Sequence, residues 1–462
     1  IKTPVSDPDF TAEAKGVLNL GMIKQVYPLD DMELNGTVRA DMTMAGHLSY
    51  IEKEQYDRFS ASGTIALSDM KLKMKEMPDV EIKKSLFTFT PKYLQLSETT
   101  VAIGKNDLTA DCRFENYMGY ILKGSTLKGT LNVRSNHLNL NDFMTATTDS
   151  TAQTSQASST EETVSMIEVP QNIDFQMDAG LKEVLFDKMT FTNMNGKLIV
   201  KNGKVDMTNL SMNTMGGSVV MNGYYSTADP KKPEMNAGFR MENIGFAQAY
   251  KALDMVQQMA PIFENLKGNF SGNMHIRTLL DNQMSPVMDT MQGNGSLSTQ
   301  DLSLSGVKVI DQIAEAVKKP ELKEMKVKDM TLDFTIKDGR VSTKPFDIKL
   351  GDYVMNLSGS TGLDQTIDYS GKIKLPASAG DIAKLTTLDL KIGGTFSSPK
   401  VSLDTKSMTN QAVEAVTDKA ISEIGKKLGL DSATTANKDS VKEKVKEKAV
   451  EKALDFLKKK IK

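Results

Sequence analysis

Residues 202–223 read NGKVDMTNLSMNTMGGSVVMNG. Asn202-Gly203 is a pair that accepts the left-handed backbone of a two-residue hairpin turn, and Val205-Asp206-Met207 then alternates apolar with polar. Such alternation sends successive side chains to opposite faces of a strand, so one face is apolar and must be covered while the other is wet. Gly216-Gly217 and Asn222-Gly223 supply further turn signals. Residues 338–359, DGRVSTKPFDIKLGDYVMNLSG, follow the same plan 136 residues later, and Leu94 stands 111 residues before Val205 in a third version.

The pattern spreads outward from there. Met70-Lys71-Leu72-Lys73-Met74-Lys75 and Phe87-Thr88-Phe89 alternate in the same way. Leu34 to Met42 aligns with Leu266 to Met274 at an offset of 232, and Gly63-Thr64-Ile65 with Asp69-Met70 and Leu72 aligns with Gly295-Ser296-Leu297, Asp301-Leu302 and Leu304 at the same offset. Beyond this the offset becomes 247, pairing Phe87 with Phe334, Phe89 with Ile336 and Leu94 with Val341. The 15 additional residues predict a helix over 307–319, with Ile310, Ile313, Ala314 and Val317 on one side, Asp311 and Glu315 on the other, and Pro320 as a stop.

These observations predict a mostly β chain: an elongated, twisted antiparallel sheet curled into an open groove, built from about three repeats, with a few amphipathic helices. The first copy covers about 34–112, the second about 172–223 and the third about 266–359. On the order of 20 strands at about 4.8 Å spacing would extend roughly 100 Å before twist is allowed for.

Residues 147–165 contain eleven Ser or Thr and only three apolar residues, Ala152, Ala157 and Val164, so they predict a disordered linker. The expected organisation is therefore a β block over 1–146, the linker 147–165, further β blocks over 166–404 and a helical tail over 405–462. Residues 246–259, FAQAYKALDMVQQM, predict a packing helix ending at Pro261. In the tail, Val441, Val445, Ala449, Ala453, Leu457 and Ile461 recur every four residues, and Lys438–Lys462 carries ten Lys against five acids. Such a helix fits an anionic membrane surface or a solvated cap on a sheet edge.

Composition narrows the function. The chain has 462 residues, 57 Lys plus Arg against 59 Asp plus Glu and a net charge of -2, which provides no basic field for nucleic acid. Hydrophobic residues make up 39%, with 29 Met and no Trp, an apolar surface that is aliphatic and adaptable, or simply gap-filling. Cys112 is the single cysteine and rules out an intrachain disulfide. No run approaches the roughly 18 apolar residues of a membrane span. The chain opens at Ile1, and an upstream anchor or signal is expected.

Catalytic and metal motifs are missing. His47, His137 and His275 are far apart in sequence and show no zinc spacing with Cys or Glu, and neither a G-x-S-x-G elbow nor a P-loop occurs. The expectation is a protein that is not an enzyme, with no cofactor and no metal.

Gly339-Arg340-Val341, Lys344-Pro345-Phe346-Asp347, Leu350-Gly351, Ser358-Gly359 and Gly362-Leu363-Asp364-Gln365-Thr366-Ile367-Asp368-Tyr369 form an ordered set with Asn202-Gly203-Lys204-Val205 and Gly216 to Gly223. In this order they resemble the C-terminal region of AsmA-family proteins of the Bacteroidota type, over nearly all of residues 1–400. That family is related to TamB and YhdP and similar to bridge-like lipid-transfer proteins. The resemblance implies a periplasmic location with an inner-membrane anchor that this chain lacks. It also implies phospholipid or another acyl lipid as ligand, movement of that lipid towards the outer membrane in support of outer-membrane biogenesis, and outer-membrane proteins as further partners. A non-enzymatic scaffold for outer-membrane proteins, working through strand pairing, is the alternative, and a β-rich adhesin a more distant one. The positions apolar on the same side of the strand in all copies are Leu108 and Ala110, Val219 and Met221, and Met355 and Leu357. They are the candidate groove lining, or else part of an ordinary core.

Overall fold

The computed structural model describes residues 7–25, 32–53, 55, 58, 60–74, 78–144, 168–282, 284–316, 319–324, 326–374 and 387–404. The Ser/Thr-rich stretch 147–165 and the tail 405–462 lie outside them. Among the described residues the fold is mostly β, with 21 strands assigned to one sheet. The chain divides into two compact units, Ile1–Arg240 with His275–Val287, and Met241–Met274 with Met288–Lys462.

The first unit opens with β1 (Asp9–Asn19), β2 (Met32–His47), the short helix α1 (Leu48–Glu52), β3 (Ser60–Met74), β4 (Val80–Phe89), β5 (Tyr93–Ile103) and β6 (Asn106–Glu115). Helix α2 (Tyr117–Lys123), β7 (Leu127–Ser135), β8 (Leu138–Asn139) and helix α3 (Asn141–Met144) follow, then β9 (Ile173–Phe186), β10 (Met189–Lys201), β11 (Lys204–Thr214) and β12 (Gly217–Ser226). β13 (Glu234–Gly245), helices α4 (Phe246–Ala252) and α5 (Asp254–Met259), and β14 (Leu266–Leu279) come next. The second unit continues with β15 (Gln292–Leu304), α6 (Lys308–Ala316), β16 (Thr331–Lys337), β17 (Arg340–Leu350), β18 (Tyr353–Gly362), β19 (Ile367–Lys374), β20 (Thr387–Gly394) and β21 (Pro399–Asp404).

Within the first unit β1 to β7 pair in chain order, each antiparallel to the next, and β9 to β12 do the same. The expected all-antiparallel sheet needs one correction, because β7 and β9 run parallel, Leu127 opposite Ile173 through Ser135 opposite Leu181. β8 continues that parallel pairing, with Leu138 opposite Val184. Two parallel neighbours cannot be joined by a hairpin, so the chain between them must return along the whole strand. In sequence, residues 147–165 lie between α3 and β9.

Turns and bulges explain the repeats. Asn202 and Gly203 (φ 53° and 71°) and Asp338 and Gly339 (φ 50° and 69°) occupy the left-handed region, as two-residue hairpin turns require. Each copy then carries a β-bulge at the same place, between Leu96 and Thr99, Met207 and Leu210, and Thr343 and Phe346. These sites are 111 and 136 residues apart, the offsets of the sequence copies. In the first copy the bulged Glu98 N–H donates to Asp111 at 3.0 Å, and in the second the equivalent Asn209 N–H donates to Asn222 at 2.8 Å. In the third, Pro345 sits in the bulge, where a missing N–H costs no ladder bond.

Asn222-Gly223 therefore corrects the turn reading, since both residues lie inside β12. Asn222 is spent on the bulge, and Gly223 is required by close approach, because a Cβ there would lie 2.6 Å from Ala237 Cα on β13. Gly223→Val is expected to lower stability by about 2–3 kcal/mol, read as a lower urea midpoint with an unchanged slope.

The predicted helix over 246–259 is broken at Leu253, which is extended (φ −122°, ψ 105°) and separates α4 from α5. Phe246, 1% exposed, packs edge-on against Phe263 with ring centroids 4.8 Å apart, and Phe270 completes the cluster. The inserted helix of the third copy is present as α6, with Ile310, Ile313 and Ala314 buried.

β12, β13 and β14 are tied by one carboxylate. Glu234 accepts hydrogen bonds from the Tyr224 hydroxyl and from Arg277 Nη2 at 2.7 Å. The Tyr224 hydrogen bond and then the Arg277 guanidinium hold its carboxyl below the usual glutamate range, and the same carboxylate pushes the Tyr224 hydroxyl up. A depressed folded pKa means that the contribution to stability is present above the unfolded value and is lost as pH falls through the folded one. Urea midpoints of the wild type are therefore expected to fall from about pH 5 downward more steeply than those of Glu234→Gln.

Candidate functional site: an apolar row across the first unit

Residues directly opposite in neighbouring strands share a face, so the registers can be followed from strand to strand. Gly16 on β1 faces Ala40, Ala40 faces Ile65, Ile65 faces Phe87, Phe87 faces Leu96 and Leu96 faces Cys112. Cys112 faces Leu131, then Met177, Leu198, Met207 and Gly223 on β12. Eleven strands thus carry one row of glycine and apolar side chains, roughly 50 Å long at about 4.8 Å per strand.

The parallel step does not interrupt it. Leu131 and Met177 sit opposite each other across β7 and β9 just as the antiparallel pairs do. A second row, Leu108, Val101, Ile82 and Met70, runs beside it through β6, β5, β4 and β3.

The row is neither sealed nor fully wet. Ala40, Ile65, Phe87, Leu96, Leu131, Met177, Leu198 and Met207 are all half-buried, and among row members only Cys112 is buried. Burial also pushes the Cys112 thiol up, which keeps it protonated and unreactive. Among the described residues the helices between these strands, α1, α2 and α3, have five, seven and four residues and follow strand ends.

The opposite face is charged. Lys15 pairs with Asp41 at 2.9 Å, Lys71 with Glu81 at 2.8 Å and Lys201 with Asp174 at 2.7 Å, each across directly opposed positions. Such exposed pairs add little stability, but they fix which face is wet.

Of the six candidate residues, Leu108, Ala110 and Met221 are half-buried, whereas Val219, Met355 and Leu357 are buried. Leu108 and Ala110 on β6 are half-buried, with Leu108 in the second row and Ala110 opposite Val133. On β12, Met221 is half-buried opposite Leu210, and Val219 is 8% exposed opposite Met212. Met355 and Leu357 on β18 are 1% and 5% exposed in the second unit, where Met355 faces Ile348 and Ile373. That unit buries Ile373, Leu388, Leu390 and Ile392 of its sheet together with the apolar side of α6. The residues of the long row were missed because its membership depends on where each bulge shifts the register.

Among the described residues no three His, Cys, Asp or Glu side chains converge on a point that could hold a metal ion, and no helix is long and apolar enough to cross a membrane. Comparisons with protein-family models, with curated proteins and with solved structures found no match to the chain.

Proposed function

We propose that the half-buried apolar face of the first unit holds acyl chains, and that the protein is a non-enzymatic periplasmic conduit carrying phospholipid between inner and outer membrane. The observation that carries this reading is the unbroken row from Gly16 to Gly223 over eleven strands, half-accessible at every position from Ala40 to Gly223 except the buried Cys112. A single globular core would close over such a row. An acyl chain lying along it is held at about 0.8 kcal/mol per buried methylene, while its headgroup stays in water. Neighbouring positions are equivalent in chemistry, so a chain can shift from strand to strand without crossing a polar step. The AsmA-family resemblance supports the same reading, and the flexible thioethers of Met177 and Met207 suit acyl chains of varied shape.

The test is mass spectrometry of an organic extract of protein purified without detergent, with saturable binding of a fluorescent acyl probe. Phospholipid in the extract is expected. Leu131→Glu places a carboxylate in the middle of the row; keeping two methylenes off it costs about 1.6 kcal/mol, so probe affinity is expected to fall roughly fifteenfold. Because Leu131 is half-accessible, the melting temperature is expected to stay within a few degrees of wild type. An extract without lipid and a probe that does not saturate would overturn the reading in favour of a scaffold.

A further inference from the structure

β1 and β21, each paired on one side only among the described residues, are finished differently. β21 pairs only with β20 among the described residues, and its outer backbone is met by α6. Gln312 Nε2 donates to the Pro399 carbonyl at 3.0 Å, its Oε1 accepts from the Val401 N–H at 3.2 Å, and Lys308 Nζ donates to the Ser397 carbonyl at 2.8 Å. One side-chain amide thus satisfies two outward groups of the edge, a common guard against unwanted strand pairing.

β1 has no such cover among the described residues. It pairs with β2 along one side, and Thr11 to Asn19 are all exposed. Among the described residues, three of the six exposed large apolar side chains belong to it or to the turn that follows, Val17 (59%), Leu18 (51%) and Met22 (59%).

We propose that β1 is the interface with a second copy of this chain, the two β1 strands pairing antiparallel about Ala14. The strand DFTAEAKGVLN is self-complementary in that register. Glu13 then stands opposite Lys15 of the second copy and Lys15 opposite its Glu13, which makes two symmetric ion pairs on the charged face. On the other face Phe10 meets Leu18, Ala12 meets Gly16, and the two Ala14 side chains meet each other at the dyad. Neighbouring registers are excluded by charge. A dyad at Glu13 sets two carboxylates directly opposite each other, and a dyad at Lys15 sets two ammonium groups opposite each other. The contact is isologous and closes at two copies, so it leaves no free edge for further growth. The proposal stands independently of lipid carriage.

Cross-linking tests the register. Cys112 is buried, so a thiol introduced on β1 is the only accessible one. In Ala14→Cys the two Cβ atoms would lie about 5 Å apart, and mild oxidation is expected to give a covalent dimer on a non-reducing gel. In Ala12→Cys the two thiols would be four residues out of register, about 13 Å along the strands, and no cross-link is expected.

Sedimentation velocity over a concentration series tests the pairing itself. The wild type is expected to dimerise with a dissociation constant on the order of 10 μM, and Glu13→Lys or Lys15→Glu alone to weaken it about tenfold. The double exchange Glu13→Lys with Lys15→Glu recreates both ion pairs and is expected to restore dimerisation. A wild type that stays monomeric throughout would overturn the proposal and leave the edge to a strand of another protein. Dimers that survive both single reversals, or that Ala14→Cys fails to cross-link, would overturn it as well.

Discussion

A chain lacking Thr147–Ser165 is expected to lose about 3 kcal/mol of stability or more, whereas a chain carrying a Gly/Ser segment of the same length in their place is expected to keep its stability. Composition predicts that these residues add no core, and a free deletion would follow if they joined two separate blocks. They do not. α3 is fixed at the far end of β9, where Asp187 N–H donates to Asn141 at 2.8 Å, and the chain re-enters at the near end, where Leu127 N–H donates to Asn172 at 2.9 Å. β9 has 14 residues, so these two points lie about 45 Å apart. After the deletion Met144 and Glu168 would be only five residues apart in sequence, a reach of about 18 Å. The shortened chain must pull β8 and α3 away from β9. That leaves buried Asn106 without Asp142, which accepts from its side chain at 3.0 Å, and uncovers Val184, which is 2% exposed. Urea midpoints of both variants, with hydrogen exchange over 136–144, check the expectation. Equal stability of the deletion and the wild type would contradict the parallel return.

Met355→Asp and Met221→Asp are expected to differ by about 3 kcal/mol, although both replace a methionine on the same apolar face of matching strands, two residues apart in the copy register. Met355 is 1% exposed between Ile348 and Ile373, and a carboxylate there has neither water nor a partner, so a loss of roughly 4 kcal/mol is expected. Met221 is half-buried beside Leu210, and a carboxylate there reaches water, so about 1 kcal/mol is expected. Thermal melts of the two variants decide this. Similar losses would mean that the first unit is as sealed as the second.

The contrast marks what was legible in the sequence. Alternation identified β11, β12, β17 and β18, and the left-handed turns at Asn202-Gly203 and Asp338-Gly339 followed from residue type alone. The helix inserted in the third copy was readable because Ile310, Ile313 and Ala314 recur at helical spacing next to Pro320. Asn222-Gly223 misled because local chemistry cannot separate a turn from a glycine demanded by a neighbouring backbone. The break at Leu253 was hidden by good helix formers on both sides, and the tertiary Phe246–Phe263–Phe270 cluster accompanies it. The apolar character of the candidate residues was visible, but their accessibility was not. Met221 and Met355 have similar local patterns, and what distinguishes them is supplied by distant strands.

The parallel joint between β7 and β9 also sets an order of assembly. Apart from it, the strand pairs of the first unit join neighbours in sequence, and such hairpins close on microsecond timescales. Bringing Ile173 against Leu127 instead closes a loop of 46 residues, whose entropy is lost before any ladder bond forms. During synthesis β1 to β7 leave the ribosome well before β9 exists, so their meander can form first and present β7 as a template edge. The β9–β12 meander then docks on that edge in a single slow step, and refolding is expected to show a phase whose rate depends on the length of the 145–167 segment.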